Sequence, residues 1–320
     1  MLDILPSETN VGEVIYLSMF HMKKLLPLII PIALVTASIA LKTDSAPDLK
    51  VIPIPVELRK EFDLKPHYQK VLLLDTLPIV ASDAVNDASL FEAASVIQAM
   101  LKNRPDIIRE LAKNKVRYSI MATSERTCDI PEHSDLKPAE YWNRRARGLG
   151  ASAQRPSVSC GEENLLHNPG DPYHDESICV HEFAHAIHEM ALNSLDASFD
   201  KRLEKTYRAA LAKGPWAGKY AGSNRMEYWA ESVQSWFGTN RENDNEHNHV
   251  NTRAELVEYD PEAAKLCREV FGDNDWQYVR ADDPSRKDEP HLKNLDRSKL
   301  PKFGWTKEEQ DKYDALPPRK

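Results

Sequence analysis

Two histidines four residues apart, His181 and His185, enclose Glu182 in the string His181-Glu-Phe-Ala-His185. On a helix, residues four apart project from one face about a turn apart, so the two imidazoles can converge on a single ion. Neutral imidazole nitrogens suit zinc. Glu182 lies beside them without needing to ligate, and can serve as a base for water activated by the metal. The flanking Ile178, Val180, Phe183, Ala184, Ala186 and Ile187 are those of a buried helix, where ionisable groups are costly without a partner.

A catalytic zinc needs a third protein ligand and an open fourth position. A metzincin would carry Gly at position 188 and His at 191, but the chain has His188 and Ala191, which excludes that class. A later helical pattern, Asn224 to Phe237, supplies Glu227 and Glu231 on a face shared with Gln234, with Trp229, Val233 and Trp236 on an apolar stripe. One carboxylate binds the metal and the other orients a ligand histidine; the spacing allows either assignment.

The combination resembles the gluzincin zinc metallopeptidases and is similar to the catalytic domain of anthrax toxin lethal factor and its bacterial relatives. The likeness rests on His181-Glu-Phe-Ala-His185 followed 42 residues later by Glu227-Tyr-Trp-Ala-Glu231, and spans residues 177–237. It implies His181, His185 and Glu227 as ligands of one Zn2+, Glu182 as general base and Glu231 as a residue supporting a ligand. It also implies that Tyr220, seven residues before Glu227, stabilises the oxyanion. A phenolic donor at that place makes chemical sense, because attack on a peptide carbonyl builds negative charge on oxygen. His174, His188, His247 and His249 are further possible donors. Cys160 to Leu166 is a candidate edge strand for an extended substrate, with Glu162 and Glu163 available to meet a basic group.

The elements that must hold these residues are legible in outline. Helices are expected over 84–102, 106–113, 177–195, 201–212, 224–237 and 261–271, and strands over 116–121 and 157–160. The run Val71 to Leu74 is ambiguous, 128–150 reads as loop, and the Asn-rich 240–251 reads as a surface loop. The fold class this predicts is α+β and zincin-like. An upper subdomain of strands and helices would carry the HExxH helix above a lower helical subdomain.

The chain has 320 residues, 42 Lys plus Arg against 50 Asp plus Glu, and a net charge of −8. That balance argues against a nucleic-acid-binding surface, and a mean hydropathy of −0.55 argues against a multi-span membrane protein. Lys23-Lys24 followed by an uncharged run to Leu41 reads as a signal peptide over 22–40, cleaved after Ser38-x-Ala40. Residues 1–21, which hold Asp3, Glu8 and Glu13, form an upstream extension, with translation expected from Met22. An uncleaved anchor is the alternative; either way the remainder lies outside the cytoplasm. Residues 41–66 read as a Pro-rich linker, 67–275 as the catalytic domain and 276–320 as a polar tail. In an oxidising compartment the four cysteines (Cys128, Cys160, Cys179 and Cys267) should include at least one disulfide, with pairing left open. The function that follows is a secreted zinc metallopeptidase acting on a protein or peptide substrate, with no membrane span in the mature chain and oligomeric state open. The rivals are a non-catalytic extracellular protein with a structural zinc and a zinc amidase acting on a non-peptide substrate.

Overall fold

Alternation along two short apolar runs builds the first half of the molecule. The computed structural model describes residues 49–317 apart from Pro215, so the expected upstream extension and signal peptide lie outside the described residues. β1 (Val51–Pro53) leads into α1 (Val56–Glu61), and β2 (Lys70–Leu74) turns back at Asp75, which adopts a left-handed φ of 52°, into β3 (Leu77–Ala81). α2 (Asp87–Met100) is capped by the Asn86 side chain accepting from Ala88 N, and α3 (Pro105–Lys113) opens on proline, whose missing N–H costs nothing at that position. β4 (Arg117–Met121), α4 (Ala139–Arg145), β5 (Gly148–Leu149), β6 (Ser157–Gly161) and α5 (Glu162–Leu166) follow.

The six strands form one mixed sheet in the order β1-β2-β3-β4-β6-β5. β3, β4 and β6 run parallel, whereas β1, β2 and β5 pair antiparallel with their neighbours. Successive side chains go to opposite faces. Leu72 and Ile79 join the main core with α2, α3 and the later helices, while their neighbours Val71 and Val80 join a smaller cluster with Phe62, Tyr68 and Ile130. The stretch read as a linker over 41–66 therefore contributes structure: β1 pairs with β2, and Phe62 and Leu64 are buried.

The second half is helical: α6 (Ile178–Ala186), a π-helical turn over Ile187–Leu192, α7 (Asn193–Leu195), α8 (Phe199–Lys213), α9 (Arg225–Phe237), α10 (Arg253–Tyr259) and α11 (Pro261–Phe271). The expected single helix over 177–195 is thus interrupted by the π-turn. After residue 271 the chain runs back over the sheet end of the molecule. Arg286 grips the buried Glu92 with two contacts of 2.8 Å, His291 reaches the same carboxylate at 2.8 Å, and Phe303 N donates to Pro169 O. The last helix, α12 (Lys307–Asp314), packs on α4. The tail read over 276–320 wraps and docks as far as residue 317. Among the described residues no helix is long and apolar enough to cross a membrane.

The four cysteines are free thiols, against the expected disulfide. Cys267 is buried on α11 and Cys128 is only half-buried on a short helical turn. Cys160 and Cys179 meet each other and Tyr118 inside the core as reduced groups, burial pushing the Cys160 thiol far up.

Candidate metal centre and cleft

α6 starts where the Ser177 hydroxyl accepts from Val180 N, and its apolar positions Val180, Phe183 and Ala184 are buried. α9 is capped by Asn224, whose side chain accepts from Met226 N at 2.8 Å and Glu227 N at 3.0 Å, and ends at Gly238 with a left-handed φ of 71°. Trp229, fully buried, donates its indole N–H to Ala184 O at 2.9 Å and fixes the two helices against each other. The cap and the tryptophan together set how far along α9 Glu227 stands when it faces α6.

At that crossing three donor atoms meet. His181 Nε2 lies 3.2 Å from His185 Nε2, and Glu227 Oε2 lies 3.1 Å and 3.3 Å from the two. Tetrahedral zinc with bonds of about 2.0–2.1 Å requires donors about 3.3 Å apart. The three residues therefore fit one zinc ion, and no fourth protein donor joins the group among the described residues. The electrostatics agree. Burial opposes charge on His181, yet Glu227, Glu182 and Glu231 push its pKa up to about 10. Burial likewise disfavours the Glu227 carboxylate, but its bonds to both histidines hold it far below the usual carboxylate range. This is a pocket of carboxylates that seeks a cation. Burial raises the pKa of Glu182, making it a better proton acceptor than a solvated carboxylate.

The ring of His181 is oriented by Gln234, fully buried on α9. The amide nitrogen of Gln234 faces three acceptors, Glu176 Oε2 at 3.2 Å, Ser177 O at 3.3 Å and Thr239 O at 3.4 Å. Its carbonyl must then face His181 Nδ1, at 2.7 Å. That proton assignment leaves the Nε2 lone pair for the metal. Glu231 Oε1 is farther from Nδ1, at 3.6 Å, and its other oxygen accepts from Asn240 Nδ2 at 2.9 Å and stands 3.3 Å from His247 Nε2. The 240–251 segment is thus no mere surface loop. His247 is buried, donates through Nδ1 to Asp244 and stands against Glu231.

Tyr220 opens a short helical turn whose backbone N–H donates to Glu246 O at 2.8 Å. Its ring stands 6.2 Å from that of His181 and its hydroxyl faces Arg145. Burial and the nearby Glu227 raise its pKa above the ordinary phenol value, so it keeps its proton.

The site opens into a cleft of about 440 Å³. One wall is β5, whose only strand partner among the described residues is β6. Glycine is needed there: a Cβ on Gly148 would meet Ile178 and sit 2.7 Å from Ser159 O, and one on Gly150 would sit 2.7 Å from His185 Cβ. Tyr173, Arg241 and His247 also line it, and the tail adds Trp305 and Tyr313, packed against α4.

Other expected residues fall elsewhere. Cys160 to Leu166 is not an edge strand: Cys160 belongs to β6, between β4 and β5, and α5 follows at once. Glu163 is buried against Arg147 at 2.6 Å and Glu162 accepts from Asn86 N and Thr123 N, so neither carboxylate is free for a substrate. The π-turn carries His188 inward, fully buried and 3.0 Å from Asp200, away from both the site rim and the helix surface. His249 packs edge-on to Tyr259.

No family model matches this chain, and no curated protein matches it. Among solved structures it is similar to the PRO-PRO endopeptidase (PPEP-2) from Paenibacillus alvei, at 18% identity and a TM-score of 0.43, over 62% of this chain and 100% of that one.

Proposed function

We propose that this chain is a zinc-dependent, exported peptidase. The observation that carries the reading is the trio His181, His185 and Glu227, with donors 3.1–3.3 Å apart at the edge of a cleft of about 440 Å³. A structural zinc would instead be closed by four protein ligands. A zinc ion bound to these three side chains would lower the pKa of water and polarise a substrate carbonyl. The remaining work falls to the protein. Glu182 takes the proton of the attacking water and delivers it to the leaving amine nitrogen. Tyr220, kept protonated, donates its O–H to the carbonyl oxygen as negative charge develops there. Gln234 holds His181 in the tautomer that ligates, with Glu231 and His247 behind it. The free edge of β5 offers backbone N–H and C=O groups to an extended peptide, which would add as a further strand.

The test is direct. Purified protein stripped of metal, then given one equivalent of zinc, is incubated with a mixed peptide library and the products are read by mass spectrometry. Zinc-dependent cleavage that disappears in Glu182→Gln supports the proposal. A fully loaded protein that cuts nothing, or spectroscopy showing zinc closed by four protein ligands, refutes it.

A further inference from the structure

Four arginines line the cleft of a chain whose net charge is −8: Arg144, Arg145, Arg147 and Arg241. Two are neutralised in place. Arg147 is buried and paired with Glu163 at 2.6 Å, and Arg241 faces Glu176 at 2.8 Å and both Asp244 and Glu246 at 3.3 Å. The other two have no carboxylate at ion-pair distance among the described residues. The Arg144 guanidinium lies over the Trp305 ring, 4.0 Å from its centroid, and its Nε donates to Gln310 Oε1 at 2.8 Å. These neutral partners fix its plane without cancelling its charge. Arg145, next along the chain and exposed, ends α4 at the cleft with its guanidinium facing the Tyr220 hydroxyl.

We propose that Arg144 and Arg145 form a carboxylate-receiving subsite beside Tyr220, so that the cleft selects peptides bearing an acid group close to the bond to be cut. Planar guanidinium groups match a carboxylate with paired N–H donors, and a pre-positioned pair without a counter-ion loses no internal salt bridge on binding. The acid group is either an Asp or Glu side chain or a free C-terminal carboxylate; the chemistry recognised is the same. The cleavage part rests on the peptidase reading above, but the binding part does not.

Binding is therefore measured in the zinc-loaded Glu182→Gln protein, by calorimetry, with three sets of hexapeptides. One set is N-acetylated and C-amidated with a single Glu at each position in turn. The second replaces Glu by Gln, and the third is the Gln set with a free C-terminus. At least one acid-bearing set should bind about 10–100-fold more tightly than the blocked Gln set, the range expected for a charge-assisted pair. The set that gains identifies the source of the carboxylate. Arg144→Gln and Arg145→Gln should each shrink the gain, their combination should abolish it, and Arg145→Lys should keep part of it. Equal binding of all three sets, or a preference that survives the double substitution, overturns the proposal. Turnover of the same peptides by zinc-loaded wild-type protein is scored separately. A charge preference in binding with no cleavage sinks the peptidase reading and leaves the subsite standing.

Discussion

Replacing Gln234 by Met keeps the volume and removes every hydrogen bond of the amide. His181 Nδ1 then loses its acceptor at 2.7 Å, and Glu231 Oε1, at 3.6 Å, is too far to take over without movement. Loss of a group that orients a ligand histidine costs about 10–100-fold in metal affinity, or about 1.4–2.7 kcal/mol. The metal-free fold is weakened separately. The bonds from Nε2, at 3.2–3.4 Å, are long, so their loss should cost about 1–3 kcal/mol in total. The two effects separate by experiment. Urea unfolding of the metal-free proteins gives the second. Competition for zinc with a chromophoric chelator gives the first, and zinc at a fixed saturating concentration should stabilise the variant by about 1.4–2.7 kcal/mol less than wild type. Wild-type zinc affinity in Gln234→Met, with Glu231→Gln showing the tenfold loss instead, would refute the assignment of Gln234 as the residue that holds the ring.

Glu182→Gln should retain zinc at wild-type stoichiometry and lose hydrolysis, as metal analysis and peptide turnover would show; loss of the metal contradicts its role as a base. Glu227→Ala should nearly abolish zinc binding, whereas Glu231→Ala, whose carboxylate stands 3.6 Å from His181 Nδ1, should weaken it less than Gln234→Met does; zinc titration of the variants decides, and a larger loss in Glu231→Ala than in Glu227→Ala overturns the ligand assignment. Arg286→Met should destabilise the protein by about 3–5 kcal/mol in urea unfolding, because it leaves the fully buried Glu92 with His291 alone. Glu92 also gives a pH dependence. Burial disfavours its charge, but bonds from His291 and Arg286 outweigh that and hold its pKa below the unfolded value. Its contribution is thus present above the ordinary carboxylate pKa and lost as pH falls through the folded one. Wild type should weaken more steeply with acid than Arg286→Met, which unfolding midpoints across pH 3–7 would test.

Spacing along a single helix is local, and that is why His181, Glu182 and His185 could be read from the string alone. Glu227 and Glu231 were both readable as candidates once a second helix with an apolar stripe was assumed, and the preference for Glu227 came from the resemblance, because the spacing allows either. The division of labour between Gln234 and Glu231 was not, since it depends on the distance at which α9 crosses α6, and that is set by Trp229 reaching Ala184 O. His247 sits in an Asn-rich segment with no period at all; the Lys219 bonds to Asp244 O and His247 O, the Tyr220 bond to Glu246 O, and Asn240 and Arg241 reaching Glu231 and Glu176 turn it inward. β5 is two residues long, too short for any alternation to register, so 128–150 read as loop. The prolines over 47–66 suggested a linker, yet an edge strand tolerates them, as Pro53 in β1 does. Glu162 and Glu163 read as part of an edge strand, available to a basic substrate group; each instead meets a partner more than a dozen residues away.

The wall that the tail supplies to the cleft also has a place in time. His181 meets Glu227 and Gln234 across sequence separations of 46 and 53 residues. Trp305 reaches Asn143 across 162, and Glu309 reaches Arg126 across 183. Closing the longer loops costs about 1 kcal/mol more chain entropy, at about 0.6 kcal/mol for each doubling of length. His181, Glu227 and Gln234 should accordingly come together before the tail lines the cleft, as expected where short-range contacts precede distant ones. During refolding there is then an interval in which the proposed zinc trio would already be formed while Arg144 still lacks its Trp305 partner. If the proposed reading holds, any selectivity carried by Arg144 would be the last property of the site to appear.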